Sequence, residues 1–219
     1  RSFNAFSEWS FRDGNYLITL NDGLCHLISV FCHTYSIVSG KGHSEFLYDN
    51  FDGLVKYLRN MGSATPLEGV FWGVEHPKTV NDWIYSENLT VACIHFIMGH
   101  ELGHIENRDV ETKIKSLNYK AEFAADEKGA LICYGASQKE PNLYDIYLLA
   151  PFLALNMLKI WEKRPSNTHP FVDDRLNKIE ETYRDRLKIR GAIFEDIMND
   201  VRRLGGFFED LREETLNDR

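Results

Sequence analysis

Apolar residues recur at helical spacing along most of the chain. Between residues 16 and 38, leucine, isoleucine and aromatic side chains return every three or four positions, as on the buried face of an amphipathic helix. A second apolar stripe covers residues 46–61 and ends at Gly62. Residues 70–74, in a stretch rich in glycine, would place three apolar side chains on one face of a strand. The pattern predicts two N-terminal helices followed by one short edge strand.

The longest apolar segment lies in the middle of the chain and ends near residue 107. It is apolar on most sides, which is typical of a buried helix, and Ser86 or Asn88 is the expected cap at its start. Four further helical patterns follow, separated by glycine and proline. They cover residues 118–134, 143–163 with a bend at Pro151, 173–190, and 192–204 with an end at Gly205-Gly206. The whole pattern predicts a mainly α fold with at most a small edge β element.

Composition and charge narrow the function classes. The chain has 219 residues, which fits one domain. It carries 25 Lys and Arg against 33 Asp and Glu, a net charge of −8, which argues against binding to nucleic acid. No apolar run is long enough for a membrane span, and the first residues lack the pattern of a signal peptide. Four cysteines without a C-x-x-C pair predict buried free thiols and a cytoplasmic protein.

A short motif in the apolar central helix carries the candidate chemistry. Residues 100–104 read His-Glu-Leu-Gly-His, the H-E-x-x-H pattern. His100 and His104 are four positions apart, so their imidazoles project from one face of a helix and can bind one Zn²⁺ together. Glu101 lies beside them, where a carboxylate can take a proton from water as that water attacks a carbonyl. The motif predicts a zinc-dependent hydrolase with Glu101 as its general base.

A catalytic zinc site needs a third protein ligand and one open position. Glu122 is the candidate, and Asp126 follows it one helical turn later on the same face. Asp126 would accept the free N–H of a ligand histidine, which fixes the tautomer of that ring. Two alternatives stay open: Glu127 is the third ligand, or Glu122 and Asp126 belong to a solvated helix face.

Three blocks in this order resemble one family. Residues 100–110 read HELGHIENRDV, residues 122–126 read EFAAD, and residues 166–176 read SNTHPFVDDRL. They are similar to the H-E-x-x-H, E-x-x-A-D and H-P-x-x-x-x-R blocks of the HtpX-like and CAAX-prenyl-protease family of gluzincin metallopeptidases. Soluble zincins of the phage-exclusion type are other plausible relatives, because members of the first family usually have membrane helices. The resemblance implies a zincin-like helical metallopeptidase core.

Residue by residue, the resemblance implies a complete active site. The implied zinc ligands are His100, His104 and Glu122, and the implied catalytic base is Glu101. Active-site roles are also implied for Asp126, His169 and Arg175. An imidazole placed near the reacting carbonyl can stabilise the negative charge on its oxygen, which is the role expected of His169, with Arg175 orienting His169 or Asp126. The alternative is that His169 caps a helix and Arg175 pairs with Asp173 or Glu180 on a surface helix.

These observations predict a zinc-dependent endopeptidase that acts on peptide or protein substrates and that could be specific for one protein target. The alternative is a non-catalytic zinc-bound regulatory or interaction module, and the charged C-terminal helices could dock a regulatory protein partner. A third hypothesis treats the H-E-x-x-H motif as accidental. The predicted organisation is a single domain, residues 1–219. It has an N-terminal helical part at 1–62, a catalytic core at 63–176 and C-terminal helices at 177–219.

Overall fold

The computed structural model of the chain describes residues 5–10, 15–36, 55, 79–108, 119–161 and 170–217. The strands and α-helices of these ranges are β1 (Ala5–Ser10), β2 (Asn15–Leu20), α1 (Asp22–Ser36), α2 (Val80–Glu106), α3 (Tyr119–Lys139), α4 (Tyr144–Leu158), α5 (Val172–Glu181) and α6 (Ala192–Asn217). Short 3₁₀ segments flank α4, and a π-helical segment, Thr182–Arg186, follows α5. The prediction of a mainly α fold with a small β element is confirmed.

The N-terminal strands form a two-stranded antiparallel sheet, in which Ala5 lies opposite Leu20. The prediction of one helix over residues 16–38 was therefore wrong for its first turns, because residues 15–20 form β2. The helix begins only at Asp22, where the side-chain oxygen of Asn21 accepts a hydrogen bond from the backbone N–H of Gly23 at 2.9 Å. Leu17 and Leu20, three positions apart, fit one face of a helix, but they lie on opposite faces of β2, so pairing with β1 decides the outcome.

The second N-terminal helix and the edge strand fall outside the structural description. The predicted helix at 46–61 is described only at Val55, which is helical and buried in the core. The predicted strand at 70–74 lies outside the described residues. The sheet that is described lies instead at residues 5–20, and both of its strands contact α2. The predicted division of the domain at 62 and 176 stays a prediction.

The central helix α2 begins earlier than predicted. Its cap is Thr79, whose hydroxyl oxygen accepts a hydrogen bond from the backbone N–H of Asp82 at 3.1 Å, and not Ser86 or Asn88. Ser86 lies inside the helix, where its hydroxyl donates to the carbonyl of Trp83 at 2.8 Å. The helix ends at Glu106, as the sequence predicted to within one residue.

Two glycine positions that were predicted to end helices lie inside them. Helix α3 continues through Gly135 to Lys139, and α6 continues through Gly205 and Gly206 to Asn217. A glycine inside a helix costs only about 1 kcal/mol relative to alanine. Phe207 and Phe208 follow the glycine pair, and each is fully buried. Burial of one such side chain contributes about 1.5–3 kcal/mol, which offsets the cost of the glycines.

One cluster of buried apolar side chains runs from α1 to α6. Helix α4 lies at its centre and is buried over most of its length, consistent with its apolar sequence on all sides. It packs against α2, α3 and α6, while α2 lies between α1 and α3. The ring of Phe31 on α1 lies 5.1 Å from that of Phe208 on α6. This core holds α2 and α3 side by side, and the candidate site lies between them.

Among the described residues, no helix is both long enough and apolar enough to cross a membrane. The four cysteines are free thiols, and Cys32, Cys93 and Cys133 are buried, as the sequence predicted.

Candidate metal centre

Helix α2 presents both histidines of the motif on the face that meets α3. The Nε2 atoms of His100 and His104 lie 3.1 Å apart, and the two rings meet edge to face with centroids 4.7 Å apart. His100 is buried, and His104 is partly exposed, with 15% of its side chain accessible. The two imidazoles therefore converge on one point, as the spacing of four residues predicts.

Helix α3 can approach the histidines because small residues line its contact with α2. A Cβ atom added at Gly103 would lie 2.7 Å from the Cα atom of Ala125, and one at Gly129 would lie 2.7 Å from the carbonyl oxygen of Phe96. Real Cβ contacts are never this short, so the backbones touch only because these positions are glycine. The close approach brings the acidic side chains of α3 to the histidines.

Glu122 completes a group of three possible ligands. Its Oε1 atom lies 3.5 Å from His104 Nε2, and its Oε2 atom lies 3.7 Å from His100 Nε2. One ligand atom from each of the three residues fits within a span of 4.8 Å. Zn–N and Zn–O distances of 2.0–2.2 Å place tetrahedral ligand atoms about 3.3–3.5 Å apart. The observed separations therefore fit a zinc ion with little rearrangement.

Asp126 is placed between a ligand histidine and an arginine. Its carboxylate accepts a hydrogen bond from His100 Nδ1 at 2.9 Å. Arg175 of α5 donates to the same carboxylate twice, from Nε and from Nη2, each at 2.7 Å. Burial alone would raise the pKa of Asp126, but the Arg175 guanidinium and the His100 hydrogen bond hold that pKa below its ordinary value of 3.8. Asp126 is thus a charged acceptor, and His100 Nε2 keeps its lone pair for a metal.

Formal charge gives a second test of whether a divalent ion fits. Glu101, Glu122 and Asp126 are all buried, with at most 7% of each residue exposed. The buried cation among them is Arg175, which also lies 3.9 Å from Glu122. Glu122 and Asp126 both face Arg175, so these two carboxylates exceed the one guanidinium by one negative charge, and buried charge is costly unless it is compensated. A divalent cation at this point would compensate that excess.

The structure separates the alternatives that the sequence left open. Glu127 turns away from the histidines and pairs with Arg186 of the π-helical segment, so it is not placed as a third ligand. Glu122 and Asp126 are buried and do not form a solvated face. Arg175 contacts Asp126, whereas Asp173 pairs with Lys159 and Glu180 with Arg184. His169 lies outside the described residues.

Sequence reasoning missed the residues that let the helices meet. Gly99 and Gly103 on α2, and Ala125 and Gly129 on α3, are pairs of small residues four positions apart. A Cβ atom at Gly99 would lie 2.9 Å from the Cα atom of Gly129. The spacing was visible in the sequence, because two small residues one turn apart allow close helix packing. Nothing in the sequence indicated that the two pairs face each other.

Fold and site together define the class of this protein: it is a helical protein that brings two histidines and one carboxylate together in a group that could hold a metal ion. The family model of Peptidase U49 matches residues 54–188, which is more than half of the chain. The chain therefore belongs to the Peptidase U49 family. The matched range contains α2 to α5 and every residue of the candidate metal centre. No curated protein and no solved structure matches the chain.

Membership of this family makes the protein a peptidase, so its substrates are peptides or proteins. The prediction of a proteolytic enzyme from the H-E-x-x-H motif is confirmed at this level. The narrower assignments, namely zinc dependence, the gluzincin type and the role of each site residue, stay predictions.

Proposed function

We propose that the protein is a zinc-dependent endopeptidase of the gluzincin type. The observation that carries this proposal is the convergence of His100, His104 and Glu122, whose ligand atoms lie within 4.8 Å of one another. Two histidines, one carboxylate and an open fourth position are the ligand set of several catalytic zinc sites. The ligand types favour zinc over magnesium or calcium, which prefer oxygen atoms alone.

The chain supplies a general base next to these ligands. A bound Zn²⁺ would supply a Lewis acid that polarises a carbonyl and lowers the pKa of water to about 7. Glu101 would accept a proton from the attacking water and donate it to the leaving nitrogen of the peptide bond. Its place directly after His100 on α2 and its burial support this role.

Asp126 and Arg175 are proposed as positioning residues. The hydrogen bond from His100 Nδ1 to Asp126 orients the imidazole, and Arg175 keeps the Asp126 carboxylate charged. The direct contacts therefore support a role for Arg175 through Asp126. His169 remains the proposed donor to the negatively charged carbonyl oxygen. It directly precedes Pro170, which is buried at the start of α5, the helix that carries Arg175.

Metal content tests the ligand assignment. We would purify the wild type without added metal and measure metal per chain by plasma mass spectrometry, together with Glu122→Ala and Glu127→Ala. Glu127 is the matched control, because it lies on the same helix but pairs with Arg186. The proposal predicts about one zinc ion in the wild type and in Glu127→Ala, and a large loss in Glu122→Ala. A folded wild type without metal would contradict it.

Peptide cleavage by a Glu101 variant tests whether Glu101 is the general base. Glu101→Gln should keep its zinc but lose about 10²–10⁴-fold in the rate of peptide cleavage, since glutamine cannot accept the proton. Products would be followed by mass spectrometry on denatured casein and on a mixed peptide library. Cleavage of casein would indicate broad specificity, and cleavage of few library peptides would indicate a narrow one. Zinc binding with no cleavage in either assay would favour the non-catalytic regulatory module.

A further inference from the structure

A cavity lies between α4, α5 and α6 and shares no lining residue with the candidate metal centre. Its volume is about 340 Å³. Small-molecule sites in proteins start at about 300 Å³, so the cavity is large enough for a small organic ligand. The nature of that ligand follows from three features of the lining.

The first feature is a buried acceptor. Asn156 of α4 is fully buried and lines the cavity. Its Nδ2 atom donates to the carbonyl oxygen of Phe152 at 3.0 Å, which fixes the orientation of the amide group. Its Oδ1 atom has no hydrogen-bond partner among the described residues. A buried acceptor without a partner is costly, so a ligand that donates a hydrogen bond would relieve this cost.

The second feature is an excess of negative charge. Lys159 is 5% exposed, and its Nζ atom lies 2.5 Å from Asp173 and 3.7 Å from Glu209. One ammonium group therefore faces two carboxylates. The lining also contains Glu180, which accepts from Arg184, and Arg202, which donates to the neutral Asn199. The lining therefore holds three carboxylates and two cationic side chains, an excess of one negative charge.

The third feature keeps the cavity open. Gly205 and Gly206 of α6 both line it, although glycine inside a helix lowers stability. A Cβ atom at Gly205 would lie 3.5 Å from Lys159 Nζ and 3.9 Å from Asn156 Oδ1. Any larger side chain at this position would extend into the space between the two polar groups. The glycine therefore leaves room for a ligand beside Asn156 Oδ1.

We propose that this cavity binds a small organic cation with N–H donors, namely a primary ammonium or a guanidinium group. The cation would donate to Asn156 Oδ1 and balance the excess charge of Asp173 and Glu209. The same chemistry occurs in a free amine and in a lysine or arginine side chain of another protein. The proposal does not depend on zinc binding or on proteolysis.

Calorimetry on the chain of 219 residues tests the chemistry and separates the two sources. Agmatine and spermidine are the free probes, a blocked peptide with one internal arginine is the side-chain probe, and N-acetylglycine is the anionic control. We expect at least one cationic probe to bind with a Kd below about 1 mM. Stronger binding of agmatine or spermidine would indicate a free amine, and stronger binding of the peptide would indicate a protein side chain. Binding of N-acetylglycine alone, or of none of the probes, would overturn the proposal.

Variants of the lining test whether the cationic probes bind in this cavity. Gly205→Leu should fill the cavity and abolish the heat of binding, whereas Gly135→Leu should leave it unchanged. Gly135 is the matched control, since it is also a glycine inside a helix but has open space around its Cβ position. Asn156→Leu should weaken binding at least tenfold and serves as the second test if Gly205→Leu does not fold. Unchanged binding in the folded variants would place the ligand elsewhere and overturn the proposal.

Discussion

Two arginine–carboxylate pairs in this molecule have nearly the same geometry but different surroundings. Arg175 makes two hydrogen bonds of 2.7 Å to Asp126 beside the candidate metal centre. Arg184 makes two hydrogen bonds, of 2.7 and 3.1 Å, to Glu195 at the surface. The side chain of Asp126 is 0% exposed, whereas that of Glu195 is 51% exposed. The comparison shows that burial, rather than hydrogen-bond distance, decides how much each ion pair contributes to stability and to the position of its neighbours.

Water can replace either partner of the surface pair, so that pair only joins the π-helical segment to α6. No water replaces Arg175, so the buried pair keeps one carboxylate charged and in contact with His100. The buried pair thereby connects α5 to His100, a candidate metal ligand on α2. Four predictions test this difference between the buried and the exposed region.

Removal of the buried arginine should have the largest effect on the free energy of unfolding. Arg175→Met leaves Asp126 as an uncompensated buried charge and should lower the free energy of unfolding by about 3–5 kcal/mol. Arg184→Met should lower it by at most about 1 kcal/mol, because the pair is exposed to solvent. Urea denaturation of both metal-free variants measures the two changes. Equal losses would show that burial does not distinguish the pairs.

A methyl group in the contact between α2 and α3 should have the next largest effect. Gly103→Ala forces the helices apart, because its Cβ atom would lie 2.7 Å from the Cα atom of Ala125. We expect a loss of about 1–3 kcal/mol and weaker metal binding, as Glu122 moves away from the histidines. Gly135→Ala is the matched control and should gain up to about 1 kcal/mol. A stable Gly103→Ala variant with full metal content would contradict the packing argument.

Removal of both members of the buried pair should restore stability without restoring the site. Asp126→Leu combined with Arg175→Met removes both charges of the pair, so most of the lost free energy of unfolding should return. The imidazole of His100 would still lack its acceptor, and metal affinity should stay about 10–100-fold below the wild type. Unfolding curves and zinc titrations separate the two quantities. Recovery of both would remove the positioning role of Asp126.

Acid unfolding should show the smallest difference between the variants of the buried pair and of the exposed pair. The pKa of Asp126 is lowered in the folded protein, so its stabilising contribution is present at neutral pH and is lost as pH falls through that pKa, below 3.8. Without Arg175, burial would raise this pKa, so Arg175→Met should unfold at higher pH than the wild type. Arg184→Met should shift the midpoint less. Circular dichroism during acid titration of metal-free protein measures both midpoints.

The fold could be predicted where local pattern determined it. The helical class, the approximate positions of α2 to α6 and the burial of α4 follow from apolar spacing over many residues. The strand β2 was missed because its leucines also fit a helix, and its partner β1 lies earlier in the chain. The uninterrupted course of α6 was missed because burial of Phe207 and Phe208 outweighs the cost of the glycines, and burial is set by neighbouring helices.

The sequence by itself determined that His100 and His104 share one helix face next to Glu101, because a spacing of four residues is a property of the helix alone. It made Glu122 the candidate third ligand and left Glu127 as the competing carboxylate. Only the tertiary structure turned Glu122 towards the histidines and Glu127 towards Arg186, because the rotation of α3 depends on its glycine contacts with α2. The tertiary structure alone also brought Arg175 to Asp126, because these residues are far apart in the chain and meet only through the shared core.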